Sequence, residues 1–89
     1  MELKYLFYRK INKNLSLVNA VAPGYVDNIM ADVTVHAKPE EQERIRSLTP
    51  LGRRCRLDEL IGPYIFLASG ASSYVTGHIL HVDGGYTSL

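Results

Sequence analysis

The stretch Leu17-Val18-Asn19-Ala20-Val21-Ala22-Pro23-Gly24-Tyr25-Val26 constrains this chain more than any other. Leu17 to Ala22 is a short apolar run that Pro23 and Gly24 stop abruptly. Proline cannot donate a ladder hydrogen bond, and glycine reaches backbone angles closed to other residues. The run therefore reads as a buried strand over 17–22 that ends in a turn. Open α/β sheets bind ligands at the carboxyl ends of their strands. That makes the Pro23-Gly24 turn the first place to seek function. Asn19 is the odd member of the run. A buried amide needs partners, and neighbouring backbone would supply them, with a ligand contact as the alternative.

Eighty-nine residues suffice for one small domain with a thin stability margin. A net charge of +1 gives no reason to expect nucleic acid or a membrane as a partner. The single cysteine, Cys55, cannot form an internal disulfide and suits a reducing compartment. Arg53, Arg54 and Arg56 beside it would favour a thiolate. No run is long enough to span a bilayer, and the charged start Met1–Lys10 lacks the shape of a signal peptide. The expected location is cytoplasmic.

Leu3, Leu6, Phe7 and Ile11 would share one helical face, so the spacing predicts an aromatic, basic helix over 1–16. Past the turn, Asp27 or Asn28 would cap a short helix bearing Ile29, Met30, Val33 and Ala37. That segment reads equally as a flap over a ligand or as plain packing. Pro39, the early glutamates and the late arginines predict a solvated helix over 38–48, with Glu40 and Arg44 spaced to pair. Pro50 and Gly52 break the next segment into a loop. Its arginines would hold an anionic group, cap carbonyls or meet a partner chain. The strongest helix covers 57–69, with an apolar stripe of Leu57, Leu60, Ile61, Tyr64, Leu67 and Ala68 and a kink expected near Gly62 from Pro63. His78–Val82 reads as a second strand. His78 and His81 fall on its opposite faces, which argues against a shared metal.

Strand, helices and strand make one βαβ pattern with a right-handed crossover. Two parallel strands cannot bury both faces of a sheet, and the first would keep an open apolar edge that invites aggregation. The topology reads as the end of a larger domain.

Four blocks carry a family resemblance. Val18 to Val26 resembles the late strand and Pro-Gly turn of short-chain dehydrogenases/reductases. Pro50-Leu51-Gly52-Arg53 is similar to their loop before the last long helix, and Asp58-Glu59-Leu60 with Phe66-Leu67-Ala68-Ser69 to that helix. Ala71 to Gly77 and Val82 to Tyr86 resemble the final strand and its flanks. Gly62-Pro63 resembles sugar-acid members such as gluconate dehydrogenases.

The resemblance implies an α/β fold class: the terminal βαβ portion of a Rossmann-type doubly wound parallel sheet, incomplete in this chain. Residues 1–89 would form one partial domain, with 1–16 atypical. The implied chemistry is hydride transfer between NAD or NADP and a small alcohol or carbonyl. Pro23, Gly24 and Val26 would lie along the nicotinamide. Asn28 stands where the family often has a threonine that reaches the cofactor. The family's glycine-rich turn and its Tyr-x-x-x-Lys pair have no counterpart in this sequence, so no catalytic residue is expected in it. The implied state is an inactive piece of an oxidoreductase. The alternative is a non-catalytic interaction module that packs on a full-length relative. Homo- or hetero-oligomers would form through the last helix and strand.

Overall fold

The computed structural model describes residues 5–27 and 38–88. Three strands and two helices carry the fold: β1 (Tyr5–Asn12), β2 (Leu15–Pro23), α1 (Pro39–Leu48), α2 (Asp58–Ala68) and β3 (Ile79–Val82). The sheet order is β1-β2-β3. β2 and β3 pair in parallel, Ala20 opposite Ile79 and Pro23 opposite Val82, which is the βαβ arrangement expected.

The first segment is a correction. A helix is expected over 1–16, yet Tyr5–Asn12 is a strand that runs antiparallel to β2 from Tyr5–Val21 to Asn12–Leu15. Lys13 and Asn14 form the two-residue connection, and a register shift between Lys10 and Asn12 absorbs one extra residue. The physical reason lies in β2. Its unpaired edge offers a row of backbone donors and acceptors, and aromatic residues suit a pleated surface. Tyr8 bonds Ser16 across the hairpin at 2.9 Å, and the Arg9 guanidinium donates to the Ser69 carbonyl. The edge of β2 expected to stay open is thereby closed, and β2 becomes the central strand.

The core is small. Val21 and Ala22 of β2, Ile45 of α1, and Leu60 and Leu67 of α2 are its buried apolar residues among those described. Leu60 and Leu67 lie two helical turns apart on one face of α2, which packs on all three strands. The helix continues through Pro63, where a kink is expected. On the mainly exposed α1 the ion pair is Glu43 with Arg46, at 3.5 Å, rather than the predicted Glu40 with Arg44. The short helix predicted after a cap at Asp27 or Asn28 lies outside the described residues. No helix among the described residues is long and apolar enough to cross a membrane.

Candidate functional site

The site is built where β2 and β3 end side by side. Pro23 is the last residue of β2 and is buried. Gly24 follows, and its N–H donates to the Val82 carbonyl at 3.0 Å. Gly24 is not needed here for an unusual backbone angle, because its φ is not positive. It is needed for room: a Cβ at this position would sit 2.9 Å from both Cα and Cβ of Asp83. The sequence reading of Gly24 as a source of backbone freedom is thus replaced by a close crossing of two chain segments.

Asp83 anchors the other side of that crossing. Its Oδ1 accepts from the Gly85 N–H at 3.0 Å, and its Oδ2 accepts from the Thr87 hydroxyl at 2.8 Å and the Thr87 N–H at 3.2 Å. Burial pushes this carboxyl up, but the hydrogen bonds from Thr87 and Gly85 outweigh it and hold it below the usual range. Gly84 has φ +62°, a conformation that favours glycine, and a Cβ there would meet the Thr49 methyl at 2.8 Å. The Asp83-Gly84-Gly85 turn therefore packs against the loop that follows α1, and the Leu51 N–H donates to the Gly84 carbonyl at 3.1 Å. Tyr25 and Tyr86 close this end with an edge-to-face contact, ring centroids 6.0 Å apart.

After Gly24 the chain meets the arginine loop. Val26 forms a parallel bridge with Cys55. Cys55 N–H donates to the Tyr25 carbonyl and Asp27 N–H to the Cys55 carbonyl, both at 2.8 Å. This pattern uses both backbone groups of Cys55 and neither of Val26. Among the described residues, the N–H and C=O of Val26 take no other backbone partner. Asn28, the fourth candidate, lies outside the described residues. The structure thus brings Pro23, Gly24 and Val26 together at the sheet's carboxyl edge. It adds Asp83 and Cys55, whose roles as contacts of that turn carry no sequence signal beyond Asp-Gly-Gly and a break at Gly52.

The predicted thiolate at Cys55 is also corrected. Burial pushes the thiol up, Glu59 adds to that, and together they outweigh Arg53 and Arg56. The reason is that two of the loop's cations, Arg53 and Arg56, are already committed. Arg53 grips Glu59 with two hydrogen bonds of 2.8 and 3.0 Å, and the Arg56 N–H donates to Glu59 at 2.9 Å. Those bonds, Arg53's first, hold the Glu59 carboxyl at about 2 against an ordinary 4.5. A carboxyl lowered by folding stabilises the fold fully above its unfolded value and loses that contribution as pH falls. Glu59→Gln is therefore expected to flatten the acid limb of the stability profile between pH 4.5 and about 2. Urea midpoints across that window check it, and an unaltered acid limb would contradict it.

A cavity of about 160 Å³ lies behind the turn, bordered by Tyr25, Thr49, Cys55, Val82 and Asp83. Thr49 is 4% exposed, and its Oγ1 has no hydrogen-bond partner. A buried unpaired hydroxyl costs free energy, so Thr49→Val is expected to stabilise the chain by about 1 kcal/mol. The measurement is a raised urea midpoint at unchanged slope. A lowered midpoint would show that the hydroxyl is satisfied.

Comparison with known proteins agrees with this geometry. The family model described as enoyl-(acyl carrier protein) reductase matches residues 9–87. A sorbose reductase of Candida albicans is 49% identical over 70 residues, covering 79% of this chain and 24% of its own length. A galactitol 2-dehydrogenase of Cereibacter sphaeroides is 50% identical over 70 residues, 79% of this chain and 27% of the relative. The crystal structure of a gluconate 5-dehydrogenase from Burkholderia cenocepacia, in complex with NADP and tartrate, superposes with a TM-score of 0.73 at 41% identity. The match covers 82% of this chain and 28% of that one. The chain thus spans about a quarter of the length of the relatives it matches, and its sheet is a partial Rossmann-type fold. On the match over residues 9–87 and these identities, the chain belongs to the short-chain dehydrogenase/reductase family.

Proposed function

We propose that this chain supplies the nicotinamide-facing rim of an NAD(P)-dependent oxidoreductase acting on a sugar, polyol or sugar acid. The observation that carries the reading is Val26. Its backbone presents one donor and one acceptor beside a buried Pro-Gly turn, and the bridge to Cys55 leaves both unused. A nicotinamide carboxamide offers the matching acceptor and donor. Pro23 and Gly24 set the height of that backbone by pinning it to Val82 and Asp83. Asn28 would add an amide to the same cofactor. Bound NAD(P) would supply the hydride chemistry, and the residues of this chain would position the ring.

The proton-transfer groups of the reaction would come from elsewhere, because the sequence contains no Tyr-x-x-x-Lys. On this reading the chain is inactive alone. The test is complementation with the part of the gluconate 5-dehydrogenase that precedes its Pro-Gly turn. A version of this chain starting at Asn14 is tested beside the full chain, since β1 holds the edge of β2 that a further strand needs. NADP-dependent gluconate oxidation that disappears with Val26→Pro, which removes the N–H, is the expected result. Turnover by the 89-residue chain alone would overturn the claim of inactivity. Turnover indifferent to Val26→Pro would overturn the cofactor contact.

A second reading is an interaction module that packs on a full-length family member through α2 and β3. Ile61 and Ile65 on α2, with Leu57 just before it, favour it, since Ile61 and Ile65 are 55% and 60% exposed. A stable complex with an intact relative, without new turnover, would distinguish this reading from the first.

A further inference from the structure

A second cleft opens between α1 and the arginine loop, and shares Arg53 with the cavity behind the turn. It has a volume of about 350 Å³ and is lined by Asp27, Ile45, Arg46, Arg53, Arg54 and Arg56, with Gln42 and Gly52 at its border. The four arginines are not equivalent. Arg46 pairs with Glu43 at 3.5 Å, Arg53 with Glu59 at 2.8 Å, and Arg56 with Asp58 at 3.1 Å. Among the described residues no carboxylate pairs with Arg54, and its Nε is buried without a hydrogen-bond partner. Arg54 is therefore the cleft arginine whose charge no described carboxylate answers, and an oxyanion that reorients its guanidinium would also give the orphaned Nε–H an acceptor. Flanking arginines whose carboxylates are shared or distant can turn toward the same anion.

We propose that this cleft is a small-oxyanion site centred on Arg54, with Arg46 and Arg56 on its flanks. It accepts a phosphate or carboxylate group of a small metabolite. The shape suits a compact anion: Ile45 gives an apolar wall, and the volume exceeds that of a phosphate but not of a large polyanion. Asp27 is the internal competitor. It lines the cleft beside the arginines, and a carboxylate there repels an incoming anion. That gives the proposal two variants with opposite signs. The inference rests on the cleft and not on the nicotinamide reading, and no cofactor enters its test.

The test is a titration of the chain with inorganic phosphate, with gluconate and with neutral sorbitol, at constant ionic strength set with chloride. The Arg54 Nε–H and Gly52 amide resonances are followed. Saturable shifts with phosphate or gluconate, and none with sorbitol, are expected, and the tighter of the two anions identifies the group recognised. Arg54→Gln should weaken that binding roughly tenfold or more, the usual effect of losing a charge-assisted hydrogen bond. Asp27→Asn should tighten it. No saturable response to either anion would overturn the proposal. So would unchanged binding by Arg54→Gln, or weaker binding by Asp27→Asn in a variant whose other amide shifts match the parent chain.

Discussion

Asn19→Ala is expected to destabilise the chain by about 2–4 kcal/mol. Asn19 is 3% exposed and works as a clasp between β2 and the segment leading to β3. Its Nδ2 donates to the Val75 carbonyl at 2.9 Å, and its Oδ1 accepts from the His78 N–H at 3.0 Å. Around it, the Gly77 N–H reaches the Val18 carbonyl at 2.8 Å and the Ala20 N–H reaches the His78 carbonyl at 2.9 Å. Alanine removes the clasp and leaves two backbone groups without partners, so the cost exceeds that of the hydrogen bonds alone. Urea unfolding gives the magnitude, and faster hydrogen exchange at the His78 amide locates the loss. A change within about 0.5 kcal/mol, the range of ordinary surface substitutions, would contradict the assignment.

Gly24→Ala should cost about 1–3 kcal/mol through overpacking rather than backbone strain. The new methyl would overlap the main chain of Asp83, 2.9 Å away. Asp83 cannot yield easily, since Gly85 and Thr87 hold its carboxylate with three hydrogen bonds. Relief must come from separating the ends of β2 and β3. Two readouts follow: a lower urea midpoint, and shifted amide resonances at Gly85 and Thr87. In a complemented enzyme the same variant would also displace Val26 and raise the KM for NADP. Unperturbed resonances at Gly85 and Thr87 would place the glycine's importance elsewhere.

Much of this architecture is legible in the sequence. Apolar runs stopped by Pro23-Gly24 and by Asp83-Gly84-Gly85 give both parallel strands, and β3 falls within a residue of its expected start. Pro39 and the acidic first turns mark both helices. These signals are local: a proline that cannot donate, charges suited to a helix dipole, a stripe with helical period. Asn19 is legible for a related reason, since an amide inside an apolar run must find backbone partners.

The failures share one physical cause. Tyr5–Asn12 reads as a helix by period, but pairing with the free edge of β2 outweighs that preference. The arginines around Cys55 look available in sequence, but Glu59 and Asp58 have already claimed Arg53 and Arg56. Burial then sets the thiol's direction.

By itself the sequence determined the family, the βαβ order and the Pro23-Gly24 turn at the sheet's carboxyl edge. Those features are written in residue types whose backbone chemistry acts over a few neighbours. Tertiary structure alone decided why Gly24 must lack a side chain, and that among the described residues the Val26 backbone groups take no backbone partner and Arg54 no counter-ion. Each depends on a partner distant in the chain, Asp83 for Gly24 and Cys55 for Val26, and only packing brings such partners within reach.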